Sequence, residues 1–191
     1  MKLEELALFT GGSLQVRLDA TDLKDTKTYV LYNQQHHQLD GYEVIAETVD
    51  SRTVRTDREV TLLKEGDLLF SLLSGKAVLV RAEHAGFLYT QNYIKIDPIA
   101  QLDKAFLLYL INESSDIRRQ FYQSLQGSEV LKYTVKQLKS LQLGPLPDLE
   151  MQVRLGQIYL DGLALRHKRF SYAQGDFSRL THLIKEVYTH E

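Results

Sequence analysis

The feature that most constrains this chain is a proline-free stretch, residues 149–188, with one continuous helical pattern. Its side chains recur at intervals of three and four, which is a heptad seam interrupted by Arg166. A helix of about 40 residues is about 60 Å long, so the domain before it is too small to cover the whole seam. The seam therefore predicts a partner in addition to that domain. The seam residues are Leu155, Tyr159, Leu163, Arg166, Phe170, Ala173, Phe177, Leu180, Ile184 and Val187.

Gly175 lies inside this stretch and costs a helix about 1 kcal/mol relative to alanine. The alternative is therefore a helix that breaks near Gly175 and folds back as a hairpin. Just before the stretch, residues 144–147 read Gly-Pro-Leu-Pro, which prevents helix continuation and sheet pairing. We place a boundary there, between a domain of residues 1–147 and a spacer helix of residues 148–191.

Residues 1–97 favour short strands joined by glycine turns, whereas the pattern after Pro98 favours short helices. Asp103 is predicted to open one helix, residues 115–125 form a second, and Thr134 caps a third. The fold class is thus α+β, a mixed sheet-rich domain with short helices followed by one long coiled-coil helix. Strands are predicted at residues 14–18, 29–32, 42–49, 60–63, 68–73, 77–81 and 87–96.

Several chemistries are excluded by the residues themselves. There is no cysteine, which removes disulfides, thiol nucleophiles and cysteine-ligated metals. Gly75-Lys76 is followed by Ala77 instead of Ser or Thr, so the phosphate-loop motif fails. His36 and His37 are adjacent, which favours a solvated loop pair over a metal site. We expect a non-catalytic protein without metal or cofactor. It has no run of about 20 apolar residues and no secretory signal, so we expect it in the cytoplasm.

Charge is unevenly distributed along the chain. The formal net charge of −2 divides into −5 over residues 1–50 and +3 over the remainder. Residues 117–140 hold five basic side chains against the single acid Glu129. This window favours a local basic face, although a solvated helix flank explains it as well. Arg52, Arg55 and Arg58 recur every three residues, and they suit either a second basic arm or simple solvation.

Three stretches resemble the specificity subunit of type I restriction-modification systems. Residues 66–71 (GDLLFS) match the strand that begins the central part of a target recognition domain. Residues 127–141 match a glycine-Ser/Thr loop before a short helix, and residues 144–152 (GPLPDLEMQ) match the entry to a long conserved helix. A full member of that family has two recognition domains and two such helices, whereas this chain has one set.

The resemblance implies a half-length specificity subunit that recognises double-stranded DNA. A chain with one set needs a twin, so we predict an antiparallel homodimer that reads a palindromic pair of half-sites. Methyltransferase subunits, and restriction subunits in a complete complex, are the further partners. The seam residues predicted to dimerise are Leu155, Tyr159, Leu163, Phe170, Ala173, Phe177, Leu180, Ile184 and Val187.

The predicted DNA contacts lie on loops around the central hairpin and near the basic window. Gln and Asn can pair with adenine through two hydrogen bonds, and the family's loop assigns phosphate contact to Gly127 and Ser128, together with Lys132 and Tyr133. Solvation of an exposed sheet explains any single base reader equally well. The competing hypothesis is a coiled-coil adaptor whose sheet domain binds a protein. The set is Ser74, Gly75, Lys76, Arg81, Tyr89, Gln91, Asn92, Tyr93, Lys95, Arg118, Arg119, Gly127, Ser128, Lys132 and Tyr133.

Overall fold

A computed structural model describes residues 1–13, 27–45, 48–125 and 132–189. The described residues form six strands and five α-helices, with 3-10 turns at Leu3–Glu5 and Ala82–His84. The strands are β1 (Ala7–Gly11), β2 (Lys27–Val30), β3 (Thr53–Thr56), β4 (Leu68–Ser71), β5 (Ala77–Leu79) and β6 (Tyr93–Pro98). The helices are α1 (Gln34–Asp40), α2 (Lys104–Glu113), α3 (Ser115–Leu125), α4 (Val135–Ser140) and α5 (Leu149–Thr189). The predicted α+β class is confirmed.

The strands form two antiparallel sheets. The larger sheet has the order β1-β6-β4-β5, and Ile96 of β6 pairs with Phe9 on one side and Leu68 on the other. The smaller sheet joins β2 to β3, with Tyr29 opposite Val54. Strand β4 is buried at every position. Both of its faces are covered, which explains an unbroken apolar run instead of alternation.

Two hydrophobic clusters lie on the two sides of β4. Leu68 and Phe70 point into the larger one, which the sheet shares with α2, α3 and α4. Leu69 points the other way, into a smaller cluster with Tyr32 and Tyr93. Successive residues of a strand face opposite sides, so one short strand supplies the centre of both clusters.

Helix starts follow the caps predicted from the sequence. The Asp103 carboxylate accepts a hydrogen bond from the backbone N–H of Phe106 at 2.8 Å, opening α2. Thr134 caps α4 by accepting from the N–H of Gln137 at 3.2 Å. Both caps satisfy backbone donors that a helix start leaves free. The predicted helix at residues 115–125 is confirmed as well.

Helix α5 runs unbroken through Gly175 for 41 residues, so the hairpin alternative is wrong. Its first half packs on α2, where Gly156 allows close approach: a Cβ atom there would clash with the backbone of Phe106. Contact with the preceding part of the chain, residues 1–148, which we call the head, reaches His167 beside the carbonyl oxygen of Tyr42. Residues 168–189 are exposed except for a half-buried Gly175. The division at residue 147 stays a prediction, because half of α5 packs on the head.

Several predicted strands differ from the structure. Residues 42–45 and 48–49 are not strand, residues 60–63 contribute only a bridge between Leu62 and Leu88, and the strand predicted from residue 87 begins at Tyr93. The strand predicted at residues 14–18 lies outside the described residues. The prediction that His36 and His37 form a solvated pair in a polar loop is also wrong. His36 and His37 lie in α1 and are 2% exposed, because Asn33 caps a helix that the second cluster covers.

Among the helices in the described ranges, none combines the length and apolarity needed to cross a bilayer.

Candidate nucleic-acid interface

Three segments meet at the tip of the β4–β5 hairpin. The Leu72 N–H donates to the carbonyl oxygen of Asn92 at 2.8 Å, and the Tyr133 N–H donates to the Leu72 carbonyl oxygen at 3.0 Å. The Lys132 ammonium group lies 3.3 Å from Asn92 Oδ1. Predicted DNA contacts that are distant in sequence are therefore neighbours here. Those brought together are Ser74, Gly75, Asn92, Lys132 and Tyr133.

Gly75 shapes this tip through its backbone. Its φ of +69° is in the left-handed region that favours glycine. A Cβ atom on Gly75 would also overlap the ring of Tyr133. That ring packs edge-on against Phe70 and Phe121 of the larger cluster. Gly75 is thus needed where the hairpin turns and where Tyr133 crosses it.

Beside the tip lies a polar groove of about 220 Å³ between the start of α1 and the loop before β6. We call it the amide groove, because Asn33, Gln34 and Asn92 line it together with Arg52. Exposed Leu73 forms one rim, with 47% of its surface accessible. Amides that donate and accept hydrogen bonds, an arginine and one apolar side chain are the groups that read base edges in DNA.

Hydrogen bonds hold the α1 wall of this groove in place. Asn33 Nδ2 donates to the carbonyl oxygen of Asp50 at 2.6 Å, and Asp50 N–H donates to Gln35 Oε1 at 2.8 Å. Gln34 accepts a hydrogen bond from Ser71 Oγ at 3.1 Å. Because its carbonyl oxygen takes that bond, the Gln34 side chain keeps its amide N–H groups for another partner.

A buried polar cluster supports the groove from below. The Asp40 carboxylate, 2% exposed, accepts from Tyr32 O–H at 2.7 Å and Arg81 N–H at 3.0 Å. His84 Nδ1 lies 2.8 Å from the same carboxylate. Each oxygen of this buried carboxylate therefore has at least one polar partner within hydrogen-bonding distance. These contacts join α1 to the turn after β5 and so fix the orientation of the groove wall.

The cluster's titratable groups are adjusted by burial. Burial, then the charge of Asp40, raise the pKa of Tyr32 far above its usual range, so the phenol stays a neutral donor. Burial lowers the pKa of His37 to about 4. Burial and the neighbouring His84 lower the pKa of His36. These imidazoles are therefore neutral at pH 7; His36 Nδ1 accepts from the Asn33 N–H at 3.1 Å at the start of α1, and His37 packs against Tyr93. Within the described ranges, no three His, Cys, Asp or Glu side chains are arranged to hold a metal ion.

Two predicted DNA contacts are largely covered by other residues, although Tyr93 also lines the amide groove. Tyr89 is 0% and Tyr93 is 2% exposed, both in the smaller cluster. Desolvation raises the pKa of Tyr89 to about 12, as expected for a covered phenol. In a polar loop an aromatic residue suggests base contact, but here the rings complete the cluster beneath the groove.

Other predicted contacts are already engaged by neighbouring side chains. Lys76 pairs with Glu43 at 2.9 Å, and Arg81 pairs with Glu83 at 2.8 Å while stacking over Tyr42. Lys95 lies between Asp67 and Asp97, with only 20% of its side chain exposed. Such pairing lowers the positive potential that each cation offers to DNA.

The basic window is only partly described. Arg118 and Arg119 are exposed on α3 and pair with Glu113 and Asp116. Gly127 and Ser128 lie outside the described residues. Gln91 is exposed, and its backbone N–H donates to the carbonyl oxygen of Ser13 at 3.1 Å.

The predicted DNA contacts do not include the α1 side of the groove. Asn33 and Gln34 are missing from them because the sequence pattern favours a loop around solvated histidines. The available signal is Asn33 itself, a favoured N-cap residue followed by a helix-compatible run. Arg52 stands out in the sequence by its spacing only, and its side chain is 77% exposed beside Asp50.

The predicted dimerisation residues divide into two groups. Tyr159 and Leu163 pack on the head: Tyr159 O–H donates to Glu113 at 2.9 Å and Leu163 is 8% exposed. Leu155 is 38% exposed beside them. The others lie beyond the head with their apolar surfaces accessible. Their exposed fractions are 56% for Phe170, 67% for Phe177, 59% for Leu180, 68% for Ile184 and 74% for Val187, and Ala173 is exposed as well.

An apolar groove of about 470 Å³ runs between α2 and α5 next to this seam. We call it the α2–α5 groove. Tyr109, Leu155, Ile158, Gly162 and Arg166 are among the residues that line it. Its lining is mostly carbon, and Ile158 is 67% exposed there. The groove continues the apolar surface of the second half of α5 toward the head.

Comparison with solved structures reveals likenesses of fold. The HsdS subunit from Thermoanaerobacter tengcongensis matches 91% of this chain and 39% of its own, at 17% identity and a TM-score of 0.54. A chain from a study of complex assembly and conformational transition in a type I restriction-modification system matches 92% of this chain and 40% of its own length, at 16% identity and a TM-score of 0.56. The type I S subunit from M. genitalium matches 83% of this chain and 37% of its own length, at 17% identity and a TM-score of 0.50.

No family model matches the chain, and no curated protein does. The predicted resemblance to type I specificity subunits is thus confirmed at the level of fold, including the long C-terminal helix. The chain spans about two fifths of the length of the S-subunit chains that it matches.

Proposed function

We propose that this chain is a half-length specificity subunit, a non-catalytic DNA-recognition component of a type I restriction-modification complex. The observation that carries the proposal is the extent of the fold likeness. About nine tenths of this chain corresponds to about two fifths of an S subunit. One head and one long helix are what half of a bipartite reader requires. Catalysis then belongs to the methyltransferase and restriction subunits that such a reader would direct.

The exposed half of α5 supports assembly with a second copy. The five large apolar seam residues between positions 170 and 187 are all more than half exposed, and the head does not reach them. Exposed apolar stripes of this kind mark interaction surfaces. A second copy supplies both a matching stripe and a second head. Twofold symmetry then makes the target two identical, oppositely oriented half-sites.

The amide groove is the part of the head that we assign to base reading. Asn92 can offer a donor and an acceptor to adenine, which is worth about 1–3 kcal/mol of discrimination, and Gln34 can offer its amide N–H groups as donors. Exposed Lys132 flanks them and suits phosphate oxygens, whereas Arg52 on the other side of the groove is already paired with Asp50 at 2.9 Å. The near-neutral net charge fits a protein whose DNA contact is confined to one surface.

The decisive experiment is methylome sequencing of a host that expresses this chain together with its methyltransferase subunit. We expect methylation at a bipartite palindrome, absent when the chain is omitted. The proposal would be contradicted, and the adaptor hypothesis favoured, by two results together. Methylation would be the same with and without the chain, and the purified chain plus methyltransferase would bind no duplex DNA at any salt concentration.

Two variants separate the roles within the groove. Lys132→Ala should weaken binding to all sequences alike and lower the slope of log affinity against log salt by about 1 for each phosphate that is no longer neutralised. Asn92→Ala should instead weaken binding to the target about 5- to 150-fold while leaving other sequences unaffected. Lys2→Ala, which removes a charge outside the groove, is the control. A weakening by Lys132→Ala at one target sequence only would contradict its assignment.

A further inference from the structure

We infer that two copies pair through α5 in one particular antiparallel register, in which Phe170 of each copy faces Ala173 of the other. This inference rests on the proposed homodimer and specifies its geometry. It follows from the order of large, small and charged side chains along the exposed half of α5.

A heptad seam alternates between two kinds of position, a and d. In an antiparallel coiled coil, an a residue of one helix faces a d residue of the partner helix. Here Phe170 and Phe177 occupy one position, and Arg166 and Ala173 occupy the other. Three registers, each one heptad apart, bring Arg166 opposite a large apolar residue in the exposed half of α5 of the second copy. They place Arg166 against Phe170, Phe177 or Ile184 of the second copy.

Charges beside the seam distinguish the three registers. Arg169 and Asp176 occupy equivalent positions, each immediately before a seam residue, and positions of that kind face one another across an antiparallel pair. The middle register, with Arg166 against Phe177, pairs Arg169 with Asp176 twice. One neighbouring register opposes Arg169 to Arg169, and the other opposes Asp176 to Asp176. Asp176 is free for this exchange because its ion pair with Arg179 is long, 3.5 Å, and mostly exposed.

Side-chain size is compatible with the register that the charges select. Phe170 against Ala173 places a large ring on a small residue on both sides of the twofold axis. Leu183, 55% exposed, then faces Gly162, where no atom lies within 4 Å of a Cβ position. Gly162 lines the α2–α5 groove. The C-terminal end of one α5 therefore fills the groove beside the other head, as a third helix against α2 and α5.

The register also sets the distance between the two heads. It places residue 158 of one copy opposite residue 185 of the other. Equivalent points on the two heads are then separated by about 27 helical residues, about 40 Å, which is the length of about 12 base pairs. The half-sites of the target should be spaced accordingly.

Disulfide trapping tests the register directly, because the chain has no cysteine of its own. Arg166→Cys protein is mixed in turn with Phe170→Cys, Phe177→Cys and Ile184→Cys proteins of different mass and then oxidised. We expect the cross-linked heterodimer with Phe177→Cys. Preferential cross-linking to either other variant, or to none, would overturn the register.

Charge exchange gives an independent measurement by sedimentation equilibrium. Arg169→Asp or Asp176→Arg alone should raise the dimer dissociation constant about tenfold at low salt, since two pairs become repulsive. The double variant should return to within about threefold of the original. A double variant as weak as the single ones would refute the pairing. A wild-type chain that stays monomeric would instead refute the proposed homodimer, whereas a dimer with other cross-links would leave that proposal standing.

Discussion

Replacing Leu180 by aspartate is the sharpest test of the exposed seam. Leu180 is 59% exposed on a single chain, beyond the reach of the head. Full burial of a leucine side chain contributes about 1.5–3 kcal/mol, so covering its exposed part contributes about 1–2 kcal/mol. The substitution removes this twice per dimer, about 2–4 kcal/mol. Burying an unpaired carboxylate costs still more. We therefore expect the dimer dissociation constant to rise at least about 30-fold.

Sedimentation equilibrium measures that constant, and circular dichroism checks that the head still unfolds cooperatively. Ser178→Asp is the matched control, because it adds the same charge at an exposed position of the same helix outside the seam. The head's thermal midpoint should not change in either variant. Equal dissociation constants for Leu180→Asp and Ser178→Asp would show that this seam is not the dimer surface.

Three further predictions concern the head. Burial lowers the pKa of His37 from 6.5 to about 4, so the unfolded chain binds a proton there more readily than the folded chain. The free energy of unfolding should therefore fall by up to about 3 kcal/mol between pH 7 and 4. Urea titrations of the His37→Leu variant should lack this part of the pH dependence. Gly75→Ala should destabilise the head by more than 1 kcal/mol, about the cost of a positive φ alone, because Tyr133 must also move. Gln152→Leu should cost about 2–4 kcal/mol, since buried Gln152 accepts from Asp103 N–H and donates to two backbone carbonyl oxygens.

A control for Gly75→Ala comes from the same chain. Gly86 has φ of +85° but open space around its Cβ position, so Gly86→Ala reports conformational strain alone. Equal decreases in stability for Gly75→Ala and Gly86→Ala would mean that the packing of Tyr133 on Gly75 contributes nothing.

The long helix and the helix caps could be predicted because they depend on local pattern. Heptad spacing, the absence of proline and good cap residues act within one or two turns of the chain. Asp103 and Thr134 are identifiable from those signals, and α5 is identifiable from its own period. The family resemblance likewise rests on short stretches whose order along the chain the fold preserves.

Burial around the amide groove, by contrast, was decided by tertiary structure. Polar residues such as His36 and aromatic residues such as Tyr93 are compatible with water or with a covered cluster, and no local pattern distinguishes the two. Leu69 of β4 and the segment after β5 reach α1 from about 30 or more residues away and enclose these rings. The sequence alone therefore determined that a long unpartnered helix follows an α+β head. Which loop residues face a ligand depended on long-range packing, because burial is a property of all the elements that surround a side chain.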